Sequence, residues 1–90
     1  MYSYFVYLDS GTKIWTCYHF TYIHREGGPA IERFDGQLEW CIYNRLHRED
    51  GPAWINGNGN RKYYYIKGVL YSYRDFYRIT QRDDYEEVST

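Results

Sequence analysis

The chain has 90 residues, 13 of them Tyr with three Trp and four Phe, and a formal net charge of −1 from 11 basic and 12 acidic side chains. A chain of this length forms one domain and buries only about 60–65% of its unfolded surface. The near-zero charge gives no field for duplex nucleic acid, and no apolar run approaches the ~20 residues of a membrane-spanning helix.

The first segment, "MYSYFVYLDSG", has no basic region, long apolar stretch or small-residue cleavage site, so no secretion signal is expected. On that reading Cys17 and Cys41 are free thiols of a cytoplasmic protein. "YSYFVY" alternates as a strand and places Tyr on both faces. "DSGT" at Asp9–Thr12 turns it into a second strand through "KIWTC".

After "CYHFTYI" comes "HREGGPA" from His24, and after "CIYNRL" comes "HREDGPA" from His47, 23 residues later. A second cue keeps nearly the same step: "GTKIW" from Gly11, "GQLEW" from Gly36 and "GNRKY" from Gly59. The wider spacing of the first pair assigns two extra residues to the first unit, within "CYHFTYI". Each unit reads turn, strand, turn, strand. Asp35-Gly36 between alternating segments predicts a type I′ hairpin, and "NGNGN" at Asn56–Asn60 a looser turn of the same kind. "YNR" at Tyr43–Arg45 and "IKG" at Ile66–Gly68 supply the other turns, and Ile14, Trp40 and Tyr63 are expected to stack along one side.

Beyond Leu70 the pattern changes. Ser72 with Asp75 three residues on forms a capping box, and Tyr73, Phe76, Tyr77 and Thr80 follow at helical spacing. The expected fold is mainly β: an antiparallel β-hairpin repeat meander with a period of about 23 residues and a short C-terminal capping helix. Its units span about 9–34, 35–56 and 57–71, the helix about 73–82, and a polar tail 83–90. A helix laid over the last strands would close the open end of the array.

The phrase itself admits two chemistries. His24 or His47 with Glu26 or Glu49 could exchange protons, and Arg25 or Arg48 could hold a phosphate. A phrase written once per unit suits a construction joint better. His24, Gly28, Pro29, His47, Gly51 and Pro52 are therefore assigned to structure and no catalytic residue is assigned. No metal site is expected, because Cys17, His19 and His24 lack a second closely spaced Cys. "NGNGN" leads into no helix with Lys-Ser/Thr and is not a phosphate loop.

At "DGQLEWCIYNRLHREDGPA" (Asp35–Ala53) the sequence resembles the MORN-repeat variant family, whose units are antiparallel hairpins in series. "GTKIW…IHREGGPA" matches with an insertion, and "GNRKYYYIKGVLYSYRDFY" is similar to the family's terminal unit, so the likeness spans most of the chain. The resemblance implies a setting among tailed phages, giant viruses and bacterial antitoxin-like proteins. It implies no particular activity, since that family is defined by a scaffold.

The expected function is a non-catalytic binding module without cofactors, a phage-type counter-defence inhibitor that docks on a host protein in the host cytoplasm. Trp15, Trp40, Trp54, Tyr63 and Tyr65 would supply contact area, with Arg25, Arg48 and Arg74 supplying charge-assisted hydrogen bonds. One alternative is a sponge for a small cyclic nucleotide signal, stacked on Trp15, Trp40 or Trp54 with Arg25 or Arg48 on its phosphate. Others are an antitoxin- or immunity-like partner protein and a phosphodiesterase using His24 or His47. The acidic tail (Asp83, Asp84, Glu86, Glu87) could occupy a host nucleic-acid groove, and open sheet edges could pair two copies.

Overall fold

Alternating residues between turn signals become short strands throughout. The computed structural model describes residues 4–7 and 10–81. Its strands are β1 (Tyr4–Tyr7), β2 (Lys13–Cys17), β3 (Tyr22–Ile23), β4 (Ile31–Glu32) and β5 (Leu38–Glu39). β6 (Cys41–Ile42), β7 (Arg45–Leu46), β8 (Trp54–Ile55), β9 (Lys62–Ile66) and β10 (Val69–Tyr71) follow, then one helix, α1 (Tyr73–Thr80). The expected mainly β hairpin array with a terminal helix is what forms. The acidic tail lies outside the described residues, as does the last helical position expected from sequence, Arg82.

Residues 13–17, 38–42 and 62–66 are three copies of one five-residue strand, interrupted at Trp40 in the second. The first half of each joins a continuous antiparallel sheet in the order β1-β2-β4-β5-β8-β9-β10. The second half of each turns back on its own return strand, Thr16 opposite Ile23, Cys41 opposite Leu46 and Ile66 opposite Val69. Backbone bonds repeat with the unit: the N–H of Trp15 donates to Ala30 O (2.8 Å) and that of Trp40 to Ala53 O (2.7 Å). The N–H of His24 donates to Trp15 O and that of His47 to Trp40 O, both at 2.9 Å.

The turns differ from the expectation in type. At Asp35-Gly36 only Gly36 has a positive φ (94°), and its N–H closes on Arg33 O at 2.9 Å. This is a type I turn finished by a left-handed glycine, not type I′; the Asp35 carboxylate accepts the Gln37 N–H (3.0 Å) and so stays in the αR-type turn. The doubly left-handed two-residue turns are Tyr43-Asn44 (φ 47° and 69°) and Lys67-Gly68 (φ 51° and 83°). In the first unit that place is taken by four residues, Tyr18 to Thr21, between β2 and β3. These are the two extra residues assigned to "CYHFTYI".

A second correction concerns phase. Arg33 N–H bonds Gln37 O, whereas its counterpart Asn56 bonds Arg61 O, one residue further on. The extra residue shifts everything after it, so the equivalent of Trp40 is Tyr64 and not Tyr63. The bonds agree: Arg25 N–H donates to Cys41 O, and Arg48 N–H to Tyr65 O, both at 3.1 Å. Ile14, paired with Ile31, falls one position before Trp15 and is the counterpart of Glu39.

α1 is capped by Ser72, the counterpart of Arg48 in the second joint. The Ser72 hydroxyl accepts the Asp75 N–H at 3.2 Å, as the capping box requires. Phe76, the buried residue of the helix, sets its ring 4.7 Å from that of Tyr64. The helix thus covers the Tyr64 ring of β9. It leaves the β10 edge open, where Val69 and Leu70 remain exposed.

The core is thin. Among the described residues the buried apolar side chains are Cys17, Ala30, Ile31, Cys41, Ala53 and Phe76. Ile14, Ile23 and Leu46 pack against the Ala30–Ile31–Cys41 group. Ala30 and Ala53 are fully buried, each directly after its proline.

Candidate functional site

The two copies of the joint are built alike. The Arg25 guanidinium lies 3.9 Å above the Trp15 ring centroid, and that of Arg48 lies 3.9 Å above Trp40. Each arginine also donates through Nη1 to a proline carbonyl at 3.1 Å, Arg25 to Pro29 and Arg48 to Pro52. Gly28 and Gly51 leave the space this needs, since a Cβ there would sit 3.0 Å from Arg25 Cζ or 2.8 Å from Arg48 Cζ. Glu32 faces Arg25 at 3.5 Å, and Asp50 faces Arg48 at 2.7 Å. That hydrogen bond from Arg48 holds the Asp50 carboxyl below the usual range. The joint is an arginine clamped between an indole and a prolyl carbonyl, with cation–π attraction of about 0.5–2 kcal/mol per copy.

The histidines fasten one unit to the next. The Tyr43 N–H donates to Nδ1 of His24 (3.1 Å), and the Lys67 N–H to Nδ1 of His47 (2.8 Å). An accepting Nδ1 leaves the ring proton on Nε2, which faces Glu26 at 3.6 Å in His24 and Glu49 at 3.3 Å in His47. Each imidazole thereby holds the left-handed turn of the following hairpin. The turns are also tied by Asn44 N–H to Ile23 O and Gly68 N–H to Leu46 O, both at 2.8 Å.

The joints do share a hollow. A groove of about 690 Å³ runs between segments 25–29 and 47–50, with Trp40 and Ile42 in its floor. His47 reaches its wall and His24 does not. Its charge is mixed: Arg25 and Arg48 are paired with carboxylates, while Glu26 and Glu49 are turned toward the imidazoles.

The other concentration of side chains lies at the hairpin tips. Tyr18, His19 and Phe20 all hold left-handed φ values, 52°, 54° and 68°. Such a conformation costs an L-residue roughly 1–2 kcal/mol. The loop presents Tyr18 at 54% exposure beside Tyr22 and Tyr43, and Phe20 at 63% in a separate apolar hollow with Ile14, Thr16 and Ile23. Tyr18 stacks on Tyr43 at 6.2 Å, and Tyr22 meets Tyr43 edge-on at 5.4 Å. Burial among these rings, then a hydrogen bond with Tyr18, pushes the Tyr43 phenol up.

The structure therefore separates the residues that the sequence grouped. Trp15, Trp40, Arg25 and Arg48 are spent on one another. Trp54 packs on Tyr63 at 5.1 Å in the β8–β9 pair. Tyr65 gives its carbonyl to Arg48 and is half-buried, and Arg74 sits exposed in the first turn of α1. Sequence reasoning passed over Tyr18, Phe20, Tyr22 and Tyr43, although the insertion that carries three of them was visible as a break in period. Among the described residues no group of three His, Cys, Asp or Glu side chains is placed to hold a metal ion, and no helix is long and apolar enough to cross a membrane. No family model, curated protein or solved structure matches this chain.

Proposed function

We propose that this chain is a non-catalytic binding module that docks on a host protein through the aromatic cluster at its hairpin tips, serving as a phage-type counter-defence inhibitor. One observation carries the reading. The strained four-residue loop of the first unit, where the second and third units use two, raises Tyr18 beside Tyr22 and Tyr43 and exposes Phe20 next to Ile14, Thr16 and Ile23. Backbone strain of this kind persists where function requires it, and clustered exposed aromatics are favoured contact residues. The imidazoles support the same reading, because each is engaged in holding the next turn. The viral setting rests on the resemblance of the "HREDGPA" units alone.

The test is affinity capture from host lysate with the wild-type chain and with Tyr18→Ser/Phe20→Ser, both side chains being exposed. A protein retained by the first and lost by the second, and whose activity the wild-type chain inhibits, supports the proposal. Equal capture by both sinks it.

A further inference from the structure

Beside the aromatic tips lies a hollow of about 410 Å³, lined by Tyr22, Ile42, Tyr43, Arg45, His47 and Lys67. Three successive hairpins build it. Tyr22 comes from the first tip, Tyr43 and Arg45 from the second, and Lys67 from the third. Its geometry is set by the joint, since His47 accepts the Lys67 N–H and Leu46 accepts that of Gly68. The lining divides into an apolar wall of two phenol rings and an isoleucine, and a polar wall of two cations and an imidazole.

The polar wall gathers two cations into one concave site with no carboxylate in its lining. Arg25, Arg33 and Arg48 each face a carboxylate, Glu32, Glu39 and Asp50 respectively. Among the described residues Arg45 and Lys67 face none, and no carboxylate lines the hollow; Glu49 lies on the far side of His47, at its Nε2. Arg45 and Lys67 are both exposed side chains lining one hollow, and an anion entering it would be drawn to both. A bare phosphate would fill a small part of the space. A volume of 410 Å³ falls near the lower end of the range for small-molecule sites, about 300–1,000 Å³.

From the pairing of uncompensated cations with an aromatic wall, we infer that this hollow binds a nucleoside phosphate, its phosphate between Arg45 and Lys67 and its base against Tyr22, Ile42 and Tyr43. The site differs from the one the sequence suggested, because Arg25 and Arg48 already lie on Trp15 and Trp40. It shares Tyr22 and Tyr43 with the aromatic tips of the docking proposal but is read out separately, since Arg45 and Lys67 take no part in that proposal.

The experiment is calorimetric titration of the full chain with AMP, GMP, CMP and UMP, and separately with the four nucleosides and inorganic phosphate. At least one nucleotide should bind about tenfold or more tightly than its nucleoside and than phosphate, as expected if both walls contribute. Arg45→Gln with Lys67→Asn should weaken it by about tenfold or more, since each charge-assisted bond is lost. Asn tolerates the left-handed φ of 51° at position 67, so the thermal midpoint should hold. Nucleotide-induced shifts in amide NMR signals should centre on residues 22, 42–47 and 67. No saturable heat with any nucleotide, undiminished affinity in the double variant, or shifts centred elsewhere overturns the inference.

Discussion

The joint turns on small residues that make room for a large one. Gly51 has an ordinary φ, so what excludes a side chain there is the Arg48 guanidinium, which a Cβ would meet at 2.8 Å. The guanidinium can retreat only by leaving Trp40 and the Pro52 carbonyl. Gly51→Ala should therefore destabilise the fold by about 1–2 kcal/mol and shift the tryptophan emission, read by denaturant titration followed by fluorescence. The two histidines differ in burial, His24 at 1% and His47 at 17%, while both accept one backbone N–H. His24→Ala should cost about 2–3 kcal/mol and His47→Ala about 1, because only the first also leaves a sealed cavity. Cys41 makes a third case. Burial, with the Glu39 carboxylate beside it, raises its thiol from 9.0 to about 11. A folded pKa above the unfolded one means that the stabilisation is complete below pH 9 and is lost as pH rises toward 11. Native Cys41 should resist alkylation at pH 8 and react once the chain is unfolded.

Among the elements, the 18–21 loop can be tested against its own siblings. The second and third units close the same hairpin with Tyr43-Asn44 and Lys67-Gly68. Replacing residues 18–21 by Asn-Gly should keep the β2–β3 pairing and remove three strained residues, raising stability by about 1–3 kcal/mol in thermal or urea unfolding. The same variant should abolish host-protein capture, so that stability and docking move in opposite directions; a loss of stability would show that the loop is relaxed by its ring contacts. What the sequence displayed at this scale was the period, because the glycine cue and the His-Arg cue repeat independently. What it concealed was phase. One extra residue inside "NGNGN", at Asn60, leaves both cues in place yet moves Tyr64 into the position of Trp40. The clamp was equally hidden: Arg25 follows Trp15 by ten residues and Arg48 follows Trp40 by eight, so no fixed spacing announces it. The tip cluster joins residues from two hairpins and the basic hollow residues from three, and neither could be read without the turns that align them.

At the scale of the whole molecule, the chain is a row of units in which each holds chiefly its neighbours. His24 reaches the tip at Tyr43, His47 reaches the tip at Lys67, and α1 covers Tyr64 in place of a further joint. Stability in such a row is close to a sum of unit and interface contributions, and local opening need not melt the remainder. Phe76 is the helix's buried anchor and one of few large side chains in the core, so Phe76→Ala should cost about 3 kcal/mol or more. The loss should also be uneven. Hydrogen exchange should accelerate most in β9, β10 and α1, which meet Phe76 directly or through Tyr64. β2 and β4, two joints away, should retain most of their protection. An equal acceleration across all strands would show instead that the thin Ala30–Ile31–Cys41 core binds the three units into one cooperative block, and the unit-by-unit account would fail.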